Sequence, residues 1–408
     1  MAVDLLSSEE EARPSKRRRC EDAASCAGCT HSPEPHDFKE VPPVTDTQDP
    51  QKKCLDFKCA ARPANKAVKK WRKDDEDGHF KFNLGESLTP RYKIVRKMGQ
   101  GTFGQVLECW DRDAHEAVAI KVLRSSKLYQ EAAMTEIDVL FQIGKNEIGA
   151  RVCVQFRRWF KYQNHICIVF EKLGPSLYDF LKANDFHPFT VNTARRICRQ
   201  ILESVEYMHS LKYIHTDLKP ENVLLISSEY TEALDSKLRV PKSSNVKLID
   251  FGSTKTHKEH RLCVVSTRHY RAPEVTLGLG WSYPCDMWSV GCILIELCSG
   301  ELLFDTHEDI EHLAMMERVL GPIPPWLIQH STREAAKYFR HNWELDWPEG
   351  ASSSKSIRAV QRLRRLEDLV AKHAGDFAYL LTDLLRQLLN YNPRERLTAK
   401  QALNHSFF

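Results

Sequence analysis

From Tyr92 onward, apolar and polar positions alternate in short runs, Tyr92–Lys97, Gln105–Trp110 and Ala117–Val122, a period of two that predicts half-buried strands. A stretch with helical spacing follows over Tyr129–Ile143, and further strands are expected at Cys153–Phe160 and Cys167–Phe170. After Leu173 the apolar residues recur every three and four positions, so the rest of the chain reads as mostly helical. No internal repeat is present. A small strand-rich unit followed by a larger helical one is the predicted α+β architecture. Ahead of about Leu88 the pattern breaks down into scattered prolines (Pro33, Pro35, Pro42, Pro43, Pro50) and charge runs such as Asp74-Asp75-Glu76-Asp77. That stretch lacks the apolar surface to offset its ordering entropy, and it is predicted to be a disordered tail.

Composition narrows the class. The chain has 408 residues, 42% hydrophobic and 28% charged, which suits a globular protein with real cores and excludes a wholly disordered or collagen-like chain. No apolar run approaches the roughly 20 residues of a membrane-spanning helix. The longest, Trp288 to Cys298, is broken by Ser289 and Glu296 and is expected to be a buried helix. The opening Met1-Ala2-Val3-Asp4 lacks the basic start of a secretory signal, so export is not expected. Thirteen cysteines, an odd count in a long chain, are expected to be reduced thiols in cytosol or nucleus. With 59 Lys+Arg against 55 Asp+Glu the net charge is +4, too small to argue for nucleic-acid binding.

Two features of the tail carry readings of their own. Lys16-Arg17-Arg18-Arg19 fits a nuclear import signal, the plain alternative being a solvated charge run. Cys26 and Cys29, with His31 nearby and Cys54 and Cys59 further on, could in principle hold zinc. The second pair has the wrong spacing for common structural sites, so free thiols are the expectation.

The chemistry sits in four places. Gly99-Gln100-Gly101-Thr102-Phe103-Gly104-Gln105-Val106 has a glycine spacing shared with dinucleotide folds. Here a strand follows it instead of a helix, with Asp111 to Ala114 as a hairpin turn. A glycine-rich hairpin lets backbone amides close over a triphosphate; an ordinary hairpin is the alternative. Lys121 ends the apolar run Val118-Ala119-Ile120 and needs anions, which nucleotide phosphates and a carboxylate would supply. Glu136, in the helical run, is the expected partner, and Glu131 lies nearer the helix start. In His215-Thr216-Asp217-Leu218-Lys219-Pro220-Glu221-Asn222, Asp217 suits a base for a hydroxyl proton, Lys219 a γ-phosphate, and Asn222 a magnesium ligand. Asp250-Phe251-Gly252 would supply the second metal ligand, Asp250. Glu274, in Arg271-Ala272-Pro273-Glu274, calls for a buried cation, and Arg396 is the expected one. Asp286 is expected to accept backbone hydrogen bonds from the Asp217 loop.

In this order, the motifs resemble the protein-kinase signature. Glu311 to Arg318 reads E-H-L-A-M-M-E-R, so the chain is identified as a member of the LAMMER, or CDC-like, dual-specificity kinases, over close to four fifths of its length. In that stretch Leu313, Met316 and Leu320 share one helical face, and core packing accounts for the motif without a catalytic role. The resemblance implies a two-lobed fold: a tail over 1–88, a β-rich N-lobe over 89–172 and a helical C-lobe over 173–408. It implies ATP and Mg2+, with Lys121, Asp217 and Lys219 catalytic and Asn222 and Asp250 on the metal. Nucleotide contacts would come from Met98, Gly99, Gln100, Gly101, Thr102, Phe103, Gly104, Val106, Ala119, Lys121 and Glu136. Phe170 resembles the gatekeeper, and Glu171 to Leu173 the hinge whose backbone holds adenine. Ser227 to Asn245 resembles the branch's extra hairpin.

Related kinases phosphorylate serine in Arg/Ser-rich splicing factors and autophosphorylate on Ser, Thr and Tyr. The resemblance therefore implies protein substrates of that kind, a nuclear location, and no direct nucleic-acid or membrane partner. Asp179 and Glu221 are candidates for meeting substrate arginines. A neighbouring-branch kinase and a pseudokinase scaffold are the rival readings; the presence of Lys121, Asp217 and Asp250 speaks against the second. Two departures matter. Thr216 stands where most protein kinases have Arg and cannot pair with a phosphate, so activity is expected to depend less on phosphorylation of Thr254, Ser266 or Thr267, and replacing these with Ala is expected to leave much of the rate. The tail lacks the Arg/Ser repeats of many relatives, which puts tail-mediated docking in doubt.

Overall fold

The alternating runs form a five-stranded antiparallel sheet in the order β1-β2-β3-β5-β4. Its strands are β1 (Tyr92–Gln100), β2 (Gly104–Asp111), β3 (Glu116–Leu123), β4 (Phe156–Tyr162) and β5 (His165–Glu171). The structure is a computed structural model that describes residues 74–233, 238–259 and 263–408. The import signal at Lys16–Arg19, the Cys26 to Cys59 thiols and the predicted tail up to residue 73 lie outside the described residues.

Strand pleating sorts β3 into two faces. Val118, Ile120 and Val122 enter a core shared with Ile94, Leu107, Cys109 and Val169. Ala119, Lys121 and Leu123 therefore face the other way, toward helix α1 (Lys127–Ile143). On α1 the buried residues Ala133, Glu136, Ile137, Leu140 and Ile143 form one stripe at helical spacing. Glu136 is thus a carboxylate inside an apolar seam. A short helix α2 (Glu147–Val152), which periodicity missed, is capped by Asn146 Oδ1 accepting from Gly149 N at 3.0 Å. It occupies the run up to Cys153, so β4 starts at Phe156, three residues later than expected.

The predicted tail boundary at residue 88 is corrected. Residues 74–88 pack along the sheet: Phe80 and Leu88 are buried in its outer core, and Phe80 meets the rings of Tyr162 and His165 edge-on. Polar ties add to this packing. Gln105 Nε2 donates to Phe80 O at 2.5 Å, Ser125 N to Gly78 O at 3.1 Å, and Asp74 Oδ1 lies 3.0 Å from His165 Nε2. Two buried side chains are too few to register as periodicity.

The larger lobe is built on α3 (Leu177–Ala183), α4 (Val191–Ser210), α5 (Pro284–Ser299) and α6 (Asp309–Leu320). α4 buries Ala194, Ile197, Cys198, Ile201, Leu202, Val205 and Met208, and α5 is buried along nearly its whole length, as its continuous apolar run requires. Between them run the short strands β6 (Tyr213–Ile214), β7 (Val223–Leu225), β8 (Tyr230–Glu232), β9 (Arg239–Pro241), β10 (Val246–Leu248) and β11 (Lys255–Thr256). β8 and β9 pair as the expected inserted hairpin, and Asn184 anchors it through both atoms of its amide to the Arg239 backbone.

On α6, Leu313 and Met316 are fully buried, as the shared apolar face predicts. The polar residues of the same motif hold the chain around it. Glu311 accepts from Thr306 Oγ1 and from Ser356 Oγ, both at 2.7 Å, and Arg318 Nε donates to Leu363 O at 2.9 Å. Among the described residues, no helix is long and apolar enough to cross a membrane.

Candidate active site

Lys121 is delivered by the inner face of β3, opposite Val106 of β2. Its Nζ donates to Glu136 Oε1 and Oε2 at 2.7 and 2.9 Å, and to Asp250 Oδ1 at 2.9 Å. One ammonium thus joins a strand, a helix and a loop 129 residues away. Burial works against the charge on Lys121, but Asp250 and Glu136 outweigh it and hold its pKa above the ordinary range. The Lys121 ammonium in turn holds the Asp250 carboxyl at about 2. Burial pushes the Glu136 carboxyl up in spite of Lys121. Glu131 pairs on the surface with Lys127 instead.

Asp250 sits at the end of β10 with a left-handed backbone, φ 63°, and Phe251 is buried behind it against the His215 ring. The Asp217 loop is held from beneath by Asp286 of α5. Its Oδ2 accepts from His215 N and its Oδ1 from Thr216 N, both at 2.9 Å, as expected. His215 Nε2 faces the Ile249 carbonyl at 3.1 Å, so that nitrogen carries the hydrogen, and Nδ1 accepts from Asp217 N at 3.2 Å. Thr216 Oγ1 donates to Ser253 O at 2.7 Å, which ties the two loops together.

The Asp217 carboxylate is fixed on both oxygens. Lys219 Nζ donates to Oδ2 at 2.7 Å; Thr267 N and Thr267 Oγ1 donate to Oδ1 at 3.1 and 2.7 Å. Lys219 also donates to Thr267 Oγ1 at 3.0 Å. Burial disfavours the Lys219 charge, but Asp217, then Glu221 and Asp250, raise its pKa, so its ammonium feels both acidic loops. Asn222 Nδ2 donates to Asp217 O at 2.8 Å, and its backbone O accepts from Ile249 N at 2.9 Å.

The glycine-rich hairpin pairs Gly99 with Val106 and Gln100 with Gln105. A side chain at Gly104 would put Cβ 2.3 Å from Val122 O, so glycine is required there by the strand beside it. At Gly99 and Gly101 nothing in the protein stands within 4 Å of such a Cβ. Met98, Thr102 and Phe103 lie on the same hairpin, with Phe103 edge-on to Tyr129 of α1. Phe170 pairs with Ala119 across β3 and β5, and Glu171 pairs with Val118. Leu173 buries its side chain in the core that runs from α1 into the larger lobe, leaving its backbone at the crossing. Asp179 is engaged by Ser176 Oγ at 2.7 Å as part of the α3 cap, whereas the charge of Glu221 helps raise the Lys219 pKa.

Sequence reasoning missed the role of Thr267, which has no motif of its own, and the buried pair of Lys247 with Glu171 at 2.6 Å. A lysine in the middle of an apolar strand was the available signal for the second. Arg396 and Glu274 form the expected structural pair at 2.7 and 2.9 Å, fully buried.

A strand-rich lobe with a glycine hairpin and a Lys–Glu pair, set over a helical lobe carrying Asp217, Asn222 and Asp250, defines a protein kinase. The protein kinase domain family model matches residues 92–408. The chain is 58% identical over 351 residues to serine/threonine-protein kinase AFC1 of Arabidopsis thaliana, covering 83% of this chain and 75% of that one. It is 45% identical over 341 residues to the human dual specificity protein kinase CLK4, covering 82% and 70%. A kinase domain of known crystal structure superposes with a TM-score of 0.75 at 38% identity, over 82% of this chain and 99% of that one. The chain belongs to the LAMMER, or CDC-like, dual-specificity serine/threonine kinases, and it uses ATP and a divalent metal.

Proposed function

We propose that the protein transfers the γ-phosphoryl of ATP, with Mg2+, to serines of Arg/Ser-rich splicing factors in the nucleus, and to its own Ser, Thr and Tyr. The observation that carries the site assignment is Lys121, shared at hydrogen-bond distance between Glu136 and Asp250. Two anions already direct this ammonium into the cleft, where the α- and β-phosphates would meet it. Gly99 and Gly101 support the same reading: nothing in the protein demands glycine there, so a ligand's approach accounts for both.

Asp217 is the group placed to orient the substrate hydroxyl and accept its proton. With both carboxylate oxygens already bonded, the side chain cannot swing away, and the hydroxyl meets a preoriented acceptor. Lys219 stands against the charge that gathers on the transferring phosphoryl. Asn222 and Asp250 fit a hard cation: both offer oxygen, and the Asn222 amide nitrogen is spent on Asp217, which frees Oδ1. These two would hold magnesium, which supplies charge neutralisation on the phosphate oxygens. The hinge backbone at Glu171 to Leu173 would take the adenine, with Phe170 behind it.

The substrate class rests on the family, and Glu221, whose charge is felt at Lys219, supports it as a carboxylate near the cleft for substrate arginine. The test is transfer of labelled phosphate from ATP to a panel of Arg/Ser-repeat, acidic and Pro-directed peptides. Preference for the Arg/Ser peptide, with loss of several orders of magnitude in Asp250→Asn, is expected. Equal or greater transfer to the acidic or Pro-directed peptides would overturn the substrate assignment. The nuclear assignment rests on Lys16–Arg19: a fluorescent fusion with those residues changed to Ala should leave the nucleus, and one that stays nuclear removes that basis.

A further inference from the structure

Glu171 closes β5 and opens the segment assigned to adenine. Its carboxylate is turned inward: Oε1 accepts from Gln155 N at 2.7 Å and from Lys247 Nζ at 2.6 Å. Lys247 is the middle residue of β10, its side chain only 7% exposed, three residues ahead of Asp250. An ammonium at that depth is strongly unfavourable without its counter-charge. Yet a buried ion pair is a poor device for stability alone, because an apolar pair of similar volume commonly does as well. Its location suggests a different use. β5 belongs to the smaller lobe and β10 to the larger, so the pair bridges the lobes at the point where the chain crosses between them. Backbone bonds surround it, from Glu171 N to Gln155 O at 3.1 Å and from Val154 N to Leu248 O at 2.9 Å.

We propose that Lys247 is a positioning residue for the nucleotide. Through the Glu171 carboxylate it fixes the hinge peptide against the strand that ends at Asp250, which keeps the adenine end and the phosphate end of one bound ATP in register. This rests on the hinge reading given above. The interaction is the same in the ground and transition states, since adenine takes no part in the transfer. Asp250 has an independent hold on its position through Lys121. Loss of the pair therefore weakens ATP binding and spares the chemical step.

The test compares full-length Lys247→Met, Glu171→Gln and the double variant for KM of ATP, kcat and melting temperature, with Lys121→Met alongside. Lys247→Met should raise KM for ATP by about tenfold or more while kcat stays within about threefold. The double variant leaves no unpaired buried charge. It should regain most of the lost melting temperature yet keep the raised KM, with the single effects far from additive. That split separates positioning from stability. A KM within about twofold of the original in the double variant, or a fall in kcat at unchanged KM, overturns the assignment. Undiminished transfer by Lys121→Met would instead overturn the reading of the site on which it depends.

Discussion

Lys121 is the residue on which the site closes, and its neighbours respond to pH in opposite directions. The Asp250 carboxyl, held at about 2, adds stability that is present above its ordinary value of 3.8 and lost as pH falls through about 2. Burial raises the Glu136 carboxyl, so the folded state favours its protonated form, and that contribution is lost as pH rises through the raised pKa. With Lys121 in place its one ammonium bonds both carboxylates and offsets their mutual repulsion. Lys121→Met leaves two carboxylates facing each other in an apolar seam, and the easiest relief is for Glu136 to take up a proton. The variant should therefore lose more melting temperature at pH 8 than at pH 5, by about 3 °C or more, the equivalent of roughly one pKa unit on a single carboxyl. Calorimetry at the two pH values checks this, and a gap independent of pH would refute it.

At the scale of elements, the segment from Asp250 to Glu274 shows how Thr216 can stand where most kinases have Arg. The chain's own donors hold that segment in place of an Arg–phosphate pair. Arg271 Nε and Nη2 donate to Ser266 O at 3.3 and 2.9 Å, Arg271 Nε donates to Val265 O at 2.9 Å, and Trp281 Nε1 donates to Cys263 O at 2.7 Å. Arg268 pairs with Asp309 at the start of α6, which ties the segment to the LAMMER helix. Thr254 is buried. Phosphatase treatment should accordingly leave most of the rate; a fall beyond about a hundredfold, roughly 2.7 kcal/mol, would contradict this. Thr267 stands apart from Thr254 and Ser266, and the expectation that its replacement is mild is revised. Its hydroxyl bonds both Asp217 and Lys219, so Thr267→Ala should lower kcat by about ten- to a hundredfold whatever the phosphorylation state. Steady-state kinetics on phosphatase-treated enzyme separates the two effects, and a Thr267→Ala rate equal to the parent's would remove Thr267 from the site.

Across the whole molecule, what was legible in the sequence divides by the kind of signal each contact leaves. The strands, α4 and α5 could be read because burial on one face, or all round, writes a period into the chain. Asp217, Asn222 and Asp250 could be read because their side chains must meet one substrate, which fixes residue type and order, and Glu136 because the buried Lys121 requires a carboxylate. Thr267 and Gln105 could not, since each serves only through hydrogen bonds to neighbours in space. The segment 74–88 was hidden for a related reason. Its anchors are Phe80 and Leu88, eight residues apart between polar stretches, and only the folded sheet reveals that both are buried. Burying two such side chains is worth on the order of 3–6 kcal/mol as an upper bound. Removing them also strips Gln105 of its acceptor at the root of the glycine hairpin, a further cost because a buried amide would be left unpaired. A chain starting at residue 89 should therefore melt several degrees below one starting at residue 74 and bind ATP more weakly. The second effect follows because Gln105 adjoins Gly104, whose backbone is pressed against Val122 and has no other slack to take up. Differential scanning calorimetry with and without nucleotide measures both, and two chains that melt together and gain equally from ATP would show that the segment merely lies along the sheet.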